Sequence, residues 1–335
     1  MSFSELKKYR FFRLPPQVIF TACIVFAMIV SVTLSLMYVW NTRVDYTFGY
    51  LMPVFCLYVL FDRNDRIFYF FALKPEGEAK GIAVFLANML FGSMLFCGML
   101  VFLLFSIIKG ISNNPASSSV FPMTFGFSFA FFALAYFAAA KNSAGEIMGF
   151  GQRLGFAKLF IFPAFAWIIS APMFQSLESA VSVFLLSKVA NVVAATMDMF
   201  GYVVELKGNS LYFPKGPVGV ADACSGIRSL TACLFAGSFL AAVFLDKFWK
   251  KFSLVALSMF MAFFFNILRA LFLSLWAYEY GPESISGFVH DAAGYFVLGA
   301  TVASLLLIMP LFQLSAVPPE LRAAAKDSDK KADPQ

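Results

Sequence analysis

Runs of about twenty residues with almost no charge recur along this chain, and they limit its fold more than any other feature. A helix of that length spans the roughly 30 Å hydrocarbon layer of a bilayer. Helices and closed barrels are the spanning structures that satisfy every backbone hydrogen bond without water. Of the 335 residues, 61% are hydrophobic and 13% charged. A soluble domain carries about a quarter charged residues to cover its surface. The expected class is therefore an all-α integral membrane bundle. The net charge of +6 does not point to nucleic acid, because Lys and Arg fall in short clusters between apolar runs rather than on a basic, aromatic-rich face.

The pattern predicts about eight transmembrane helices, near Gln17–Trp40, Phe48–Phe61 (interrupted by Pro53), Gly81–Ile108, Val120–Ala140, Leu159–Pro172, Cys224–Leu245, Phe252–Tyr280 and His290–Leu314. The first apolar run is longer than a signal-peptide core and is expected to be retained. Alternate loops differ in charge. The N-terminus, Asp62–Lys80, Lys141–Lys158, Asp246–Lys251 and the polar tail hold most of the Lys and Arg. By the positive-inside rule these are cytoplasmic, which puts both termini inside. Three regions follow: 1–158 with about four spans, 159–314 as the catalytic region with an extracytoplasmic insertion at 173–223, and a polar tail at 315–335. The alternate loops are then extracytoplasmic.

The insertion begins with Met173–Met199, where Phe174, Leu177, Val181, Phe184, Leu185, Val189 and Val192 fall near helical spacing. We expect an amphipathic helix on the outer face. The alternative makes it the fifth span and leaves Leu159–Pro172 re-entrant. The next segment, Gly201–Asp222, has strand character. Tyr202–Leu206 and Ser210–Phe213 flank a Lys207-Gly208-Asn209 turn, which predicts a short β-hairpin able to receive an extended peptide along its edge, with Tyr202 and Tyr212 as candidate contacts.

Of the five cysteines, Cys23, Cys56, Cys97 and Cys233 lie inside apolar runs, where the residue acts as a small hydrophobe. Cys224 differs, because it opens an outer helix. Asp222 is a candidate N-cap, and Arg228 lies one turn further along on the same face. The positive end of the helix dipole and a nearby guanidinium both favour the nucleophilic thiolate. Arg269 sits deep in an apolar run, about 10 Å below the interface marked by Trp276. An unpaired guanidinium there costs at least about 2.5–3.5 kcal/mol, and Asn266 shares its face. His290, the only histidine, stands at the outer entrance of the last span. A Cys–His pair supplies nucleophile and base, and an arginine stabilises an oxyanion. With no CxxC pair and one histidine, no metal or other cofactor is expected.

At these residues the chain resembles the exosortase/archaeosortase family of multipass membrane cysteine transpeptidases. The likeness is carried by Ala223-Cys-Ser-Gly-Ile-Arg228, by Asn266-Ile-Leu-Arg269, and by His290 with Gly294. A Gly208-Asn209 turn precedes the cysteine segment, and Gly49 to Pro53 matches the second span. The resemblance implies an enzyme that cleaves C-terminal PEP-CTERM-like sorting signals, each a Pro-Glu-Pro type motif followed by a membrane helix and a basic tail. It implies Cys224 as nucleophile, Arg269 as electrostatic stabiliser and His290 as proton-transfer partner, and it fits the bacterial branch, which implies a bacterial inner membrane with the active site facing the periplasm. Many members carry Glu where this chain has Asp222, so Asp222 keeps only an orienting or capping role. The implied partners are the sorting signal and membrane lipids, with no nucleic acid. Other classes stay open: an anion transporter using Arg269, and a non-catalytic scaffold for surface-polymer export. The absence of an HExxH or Gly-x-Ser-x-Gly motif argues against metal or serine proteolysis.

Overall fold

A computed structural model describes residues 14–77, 80–112, 118–219 and 227–313. Its helices are α1 (Pro16–Thr42), α2 (Met52–Asp62), α3 (Asn64–Phe70), α4 (Ile82–Ser112), α5 (Val120–Ala138), α6 (Phe150–Lys158), α7 (Ile161–Ser170), α8 (Gln175–Met199), α9 (Ile227–Phe244), α10 (Phe248–Tyr280) and α11 (Phe288–Gln313). A small sheet of β1 (Glu205–Lys207), β2 (Ser210–Phe213) and β3 (Gly216–Gly219) lies between α8 and α9. Six helices, α1, α4, α5, α8, α10 and α11, are each long and apolar enough to cross a membrane. A seventh crossing follows if α6 and α7, bent by 42° at their junction, count as one. The protein is an all-α membrane bundle carrying a small sheet.

Contacts between helix ends show how the bundle runs. The Gln17 amide at the start of α1 donates to the carbonyls of Ala138, the last residue of α5, and Lys141 just beyond, at 3.2 and 3.1 Å. Helices α1 and α5 are therefore antiparallel. Helix α4 packs against α5 so closely that a Cβ on Gly98 would meet the Ala130 amide at 2.8 Å, and one on Gly126 the Phe102 amide at 2.6 Å. Small residues that let backbones touch are the usual adhesive between membrane helices, where lipid offers no hydrophobic driving force.

The second predicted span takes a different form from expectation. Residues Val44–Leu51 form a 3-10 helix, and α2 begins at Met52 with Pro53 in its first turn. Proline is tolerated there because the first-turn N–H groups lack intrahelical partners, so Pro53 starts a helix rather than interrupting one. The two pieces descend beside α9: Phe48 and Phe55 stack on Phe235, and Phe55 stacks on Phe239. At the bottom, Arg63 is 7% exposed and donates to the Ala242 carbonyl at 2.7 Å and to the Leu159 carbonyl.

Helix α8 has the length and hydropathy of a span, yet both its ends are held at one end of the bundle. Near its start, Glu178 pairs with Arg43, which follows α1, and Phe174 packs edge-on against Phe121 at the start of α5. The Arg43 pKa is raised, first by this hydrogen bond. Towards its other end, Leu186, Val189, Ala190, Val193 and Met197 pack with Leu211, Phe213 and Val218 of the sheet and with Ala270, Leu273 and Ala277 of α10. Tyr202, just beyond, meets Tyr278 near the end of α10. A helix of about 37 Å crossing the bilayer would have its termini at opposite ends of the bundle. Val183, Phe184 and Val192 are exposed on other faces of α8, which is why composition alone makes it resemble a span. The bent pair α6–α7, by contrast, runs end to end. Arg153 on α6 lies over the Tyr136 ring near the end of α5, and the Ser170 carbonyl closing α7 accepts from Trp40 near the end of α1 at 3.1 Å.

The hairpin is present with shifted limits and gains a strand. Strands β1 and β2 pair antiparallel around Gly208, whose φ is +64°, and β3 adds to the far side of β2 in the order β1-β2-β3. Tyr202–Val204 fall outside β1, and the register would set Val203 and Tyr202 opposite the 214–215 turn, where β2 has ended. The tail after residue 313, and with it the expected polar region 315–335, lies outside the described residues.

Candidate active site

Helices α10 and α11 are antiparallel neighbours joined by a tight turn. Lys250 at the start of α10 donates to the Phe312 carbonyl at the end of α11. At the other end, Gly281 and Gly287, with φ of +91° and +66°, bracket the 3-10 turn Pro282–Ile285. Positive φ costs glycine little, so the chain reverses within a few residues and places His290 in the first turn of α11, opposite α10.

Here the structure joins two residues that stand 21 positions apart. Arg269 Nη2 lies 2.9 Å from His290 Nε2, and the same nitrogen donates to the His290 carbonyl at 3.1 Å. A guanidinium has donors only, so the facing Nε2 is the lone-pair nitrogen and the ring proton sits on Nδ1. The second bond is reachable because the residue one turn further along α11 is Gly294. A Cβ there would lie 3.4 Å from Nη2 and 3.6 Å from Cζ, at the limit of ordinary contact. Among the described residues Arg269 Nε meets no acceptor. Asn266, one turn earlier on α10, is 3% exposed.

A cleft of about 340 Å3 opens beside His290, lined by Pro217, Val218, Gly219, Pro282, Ile285, Ser286, Gly287 and His290. That volume falls in the range of small-ligand sites, roughly 300–1,000 Å3. Residues 217–219 belong to β3, which the sequence reading missed. Its Gly-Pro-Val-Gly composition reads as a loop, and the visible signal was the glycine at each end of an otherwise short strand.

The other expected site residues fall in different places. Cys224 and Asp222 lie outside the described residues, as does the side chain of Arg228. Tyr202 packs on Tyr278, and the exposed Tyr212 lies under the Lys207 ammonium at 5.0 Å, so neither lines the cleft. Cys56 of α2 and Cys233 of α9 are buried free thiols, as expected of small hydrophobes, whereas Cys23 of α1 and Cys97 of α4 are exposed on the bundle surface rather than buried. Among the described residues no three His, Cys, Asp or Glu side chains gather as a metal site would require.

Residues 40–308, a stretch containing Cys224, Arg269 and His290, match the transmembrane exosortase family (Exosortase_EpsH). The chain belongs to that family. Membership supports a membrane-embedded transpeptidase or protease role for this exosortase, and its apolar helices make it a multipass membrane protein. No curated protein and no solved structure matches the chain.

Proposed function

We propose that this exosortase is a cysteine protease/transpeptidase that processes C-terminal PEP-CTERM-like sorting signals at the extracytoplasmic face. The observation carrying the reading is the Arg269–His290 contact of 2.9 Å beside an open cleft. In sequence, Cys224 falls between β3, ending at Gly219, and α9, starting at Ile227. The bundle end opposite this site collects Arg63, Arg66, Lys141, Arg153, Lys158, Lys247 and Lys250. The positive-inside rule then makes that end cytoplasmic and turns the cleft to the periplasm of an inner membrane.

In this mechanism the Cys224 thiol gives its proton to His290 Nε2 as the thiolate attacks the scissile carbonyl. Arg269 turns its donors from the imidazole to the developing oxyanion. That exchange frees the lone pair when the base needs it. The C–N bond breaks, the imidazolium protonates the leaving amine, and a thioester remains. An acceptor nucleophile or water then releases the thiolate. Asp222 caps or orients the cysteine segment, Arg228 holds an acidic substrate side chain, and Asn266 supports Arg269. The catalytic region is then 159–314, standing on the helices of 1–158.

The test is processing, in cells, of a reporter fused to a Pro-Glu-Pro motif, an apolar helix and an arginine cluster. Cys224→Ala should abolish cleavage, and undiminished cleavage in that variant would refute the assignment.

A further inference from the structure

We propose that the substrate's extended segment binds as an added strand on the free edge of β3, with the Pro282–Gly287 turn as the opposite wall. This rests on the peptide-processing reading above and names the subsite that holds the peptide.

The register identifies which backbone groups are available. Tyr212 stands opposite Pro217, with Leu211 opposite Val218 and Phe213 opposite Gly216. Proline has no N–H, so the 212–217 pair is the non-bonded kind, and the bonds to β2 run through Gly216 and Val218. Alternation then turns the Pro217 carbonyl and both the amide and carbonyl of Gly219 away from β2, and Pro217, Val218 and Gly219 all line the cleft. No described strand pairs with that edge.

The walls suit a main chain better than a large side chain. Val218 is buried against α8 and α10, so its side chain leaves the cleft clear. What remains is two prolines, two glycines, one serine, Ile285, itself buried, and His290. Glycine within a strand often marks close approach of another backbone, and Gly219 supplies that here. At the Gly216 end the edge is closed: a Cβ on Gly216 would lie 3.2 Å from Pro282 Cγ. Gly219 and His290 line the same cleft, so a strand docked on Gly219 brings its main chain to the imidazole. Strand addition gives affinity through main-chain bonds, and the narrow walls select small and prolyl side chains.

The experiment uses the full-length protein in membranes with the same reporter, in a background where Cys224 is the sole cysteine. Gly219→Pro removes the outward amide and no bond to β2. Ser286→Trp fills the cleft from an exposed turn position. Each should slow processing about tenfold, the scale of one hydrogen bond left unmade, while iodoacetamide alkylates Cys224 at the parent rate. Benzoylphenylalanine placed at Pro217 should crosslink to the reporter's motif, and at the exposed Lys207 on the far edge strand β1 should not. Parent-rate processing in both variants, or crosslinking from Lys207 instead of Pro217, overturns the proposal. If Cys224→Ala is dead at the same time, the subsite has failed and the enzymatic reading stands. Should alkylation slow in a variant, the crosslinks alone decide.

Discussion

A graded substitution at Gly294 tests whether the Arg269–His290 contact matters to activity. Alanine there puts a Cβ 3.4 Å from Nη2 and 3.6 Å from Cζ, which is ordinary van der Waals distance. Alanine also favours the helix by roughly 1 kcal/mol over glycine. Gly294→Ala should therefore unfold slightly later and process the reporter within about threefold of the parent. Valine adds γ carbons about 1.5 Å further out and fills two of the three staggered positions. One of them comes as near as about 2 Å to the guanidinium, so Arg269 must move by about 1 Å. The 2.9 Å contact to Nε2 does not survive such a shift. A 1 Å misplacement of a catalytic group costs about 100-fold, and overpacking itself costs about 1–3 kcal/mol. The assay pairs initial processing rate in membranes with thermal unfolding in detergent. Gly294→Val working at the parent rate, or Gly294→Ala inactive at an unchanged melting temperature, would show that this geometry does not govern catalysis.

Arg269→Lys keeps the charge but has one nitrogen in place of three, so it cannot hold His290 and offer a separate donor to the oxyanion, and reporter processing should fall roughly 100- to 1,000-fold, much as for alanine. Gly49→Ala puts a Cβ 2.1 Å from Trp40 Nε1, whose N–H holds the Ser170 carbonyl. It should cost about 1–3 kcal/mol and lower the melting temperature by several degrees. Glu178→Gln weakens the tie between α8 and the end of α1. Because Arg43 is partly exposed, the loss should stay below about 1 kcal/mol and shrink in high salt, as read from melting curves at two ionic strengths.

Much of the fold was legible in particular residues. The uncharged runs predicted the helices because a helix satisfies its own backbone in lipid and needs about twenty residues to cross, whereas a barrel strand needs only about ten. The Lys207-Gly208-Asn209 turn predicted the hairpin because a two-residue connection needs positive φ. Strand β3 was not legible, since Gly-Pro-Val-Gly has no strand propensity and forms one by pairing with β2. Helix α8 was ambiguous for a related reason. Its apolar residues occupy several faces, so only the partners at its two ends separate an interfacial helix from a span.

The candidate site divides the same way. Chemical identity singled out Arg269 and His290, because a guanidinium in an apolar run is costly and the histidine has no second copy. Sequence spacing could bring them to one face of the bundle but not to a shared hydrogen bond. That depended on the reversal between Gly281 and Gly287, on the antiparallel packing of α10 and α11, and on the missing side chain at Gly294. By itself, then, the sequence determined a membrane bundle and the types of residue able to do chemistry, because both follow from local composition. Which donor faces which lone pair, and which strand edge borders them, only the tertiary structure decided, because both depend on how distant segments pack.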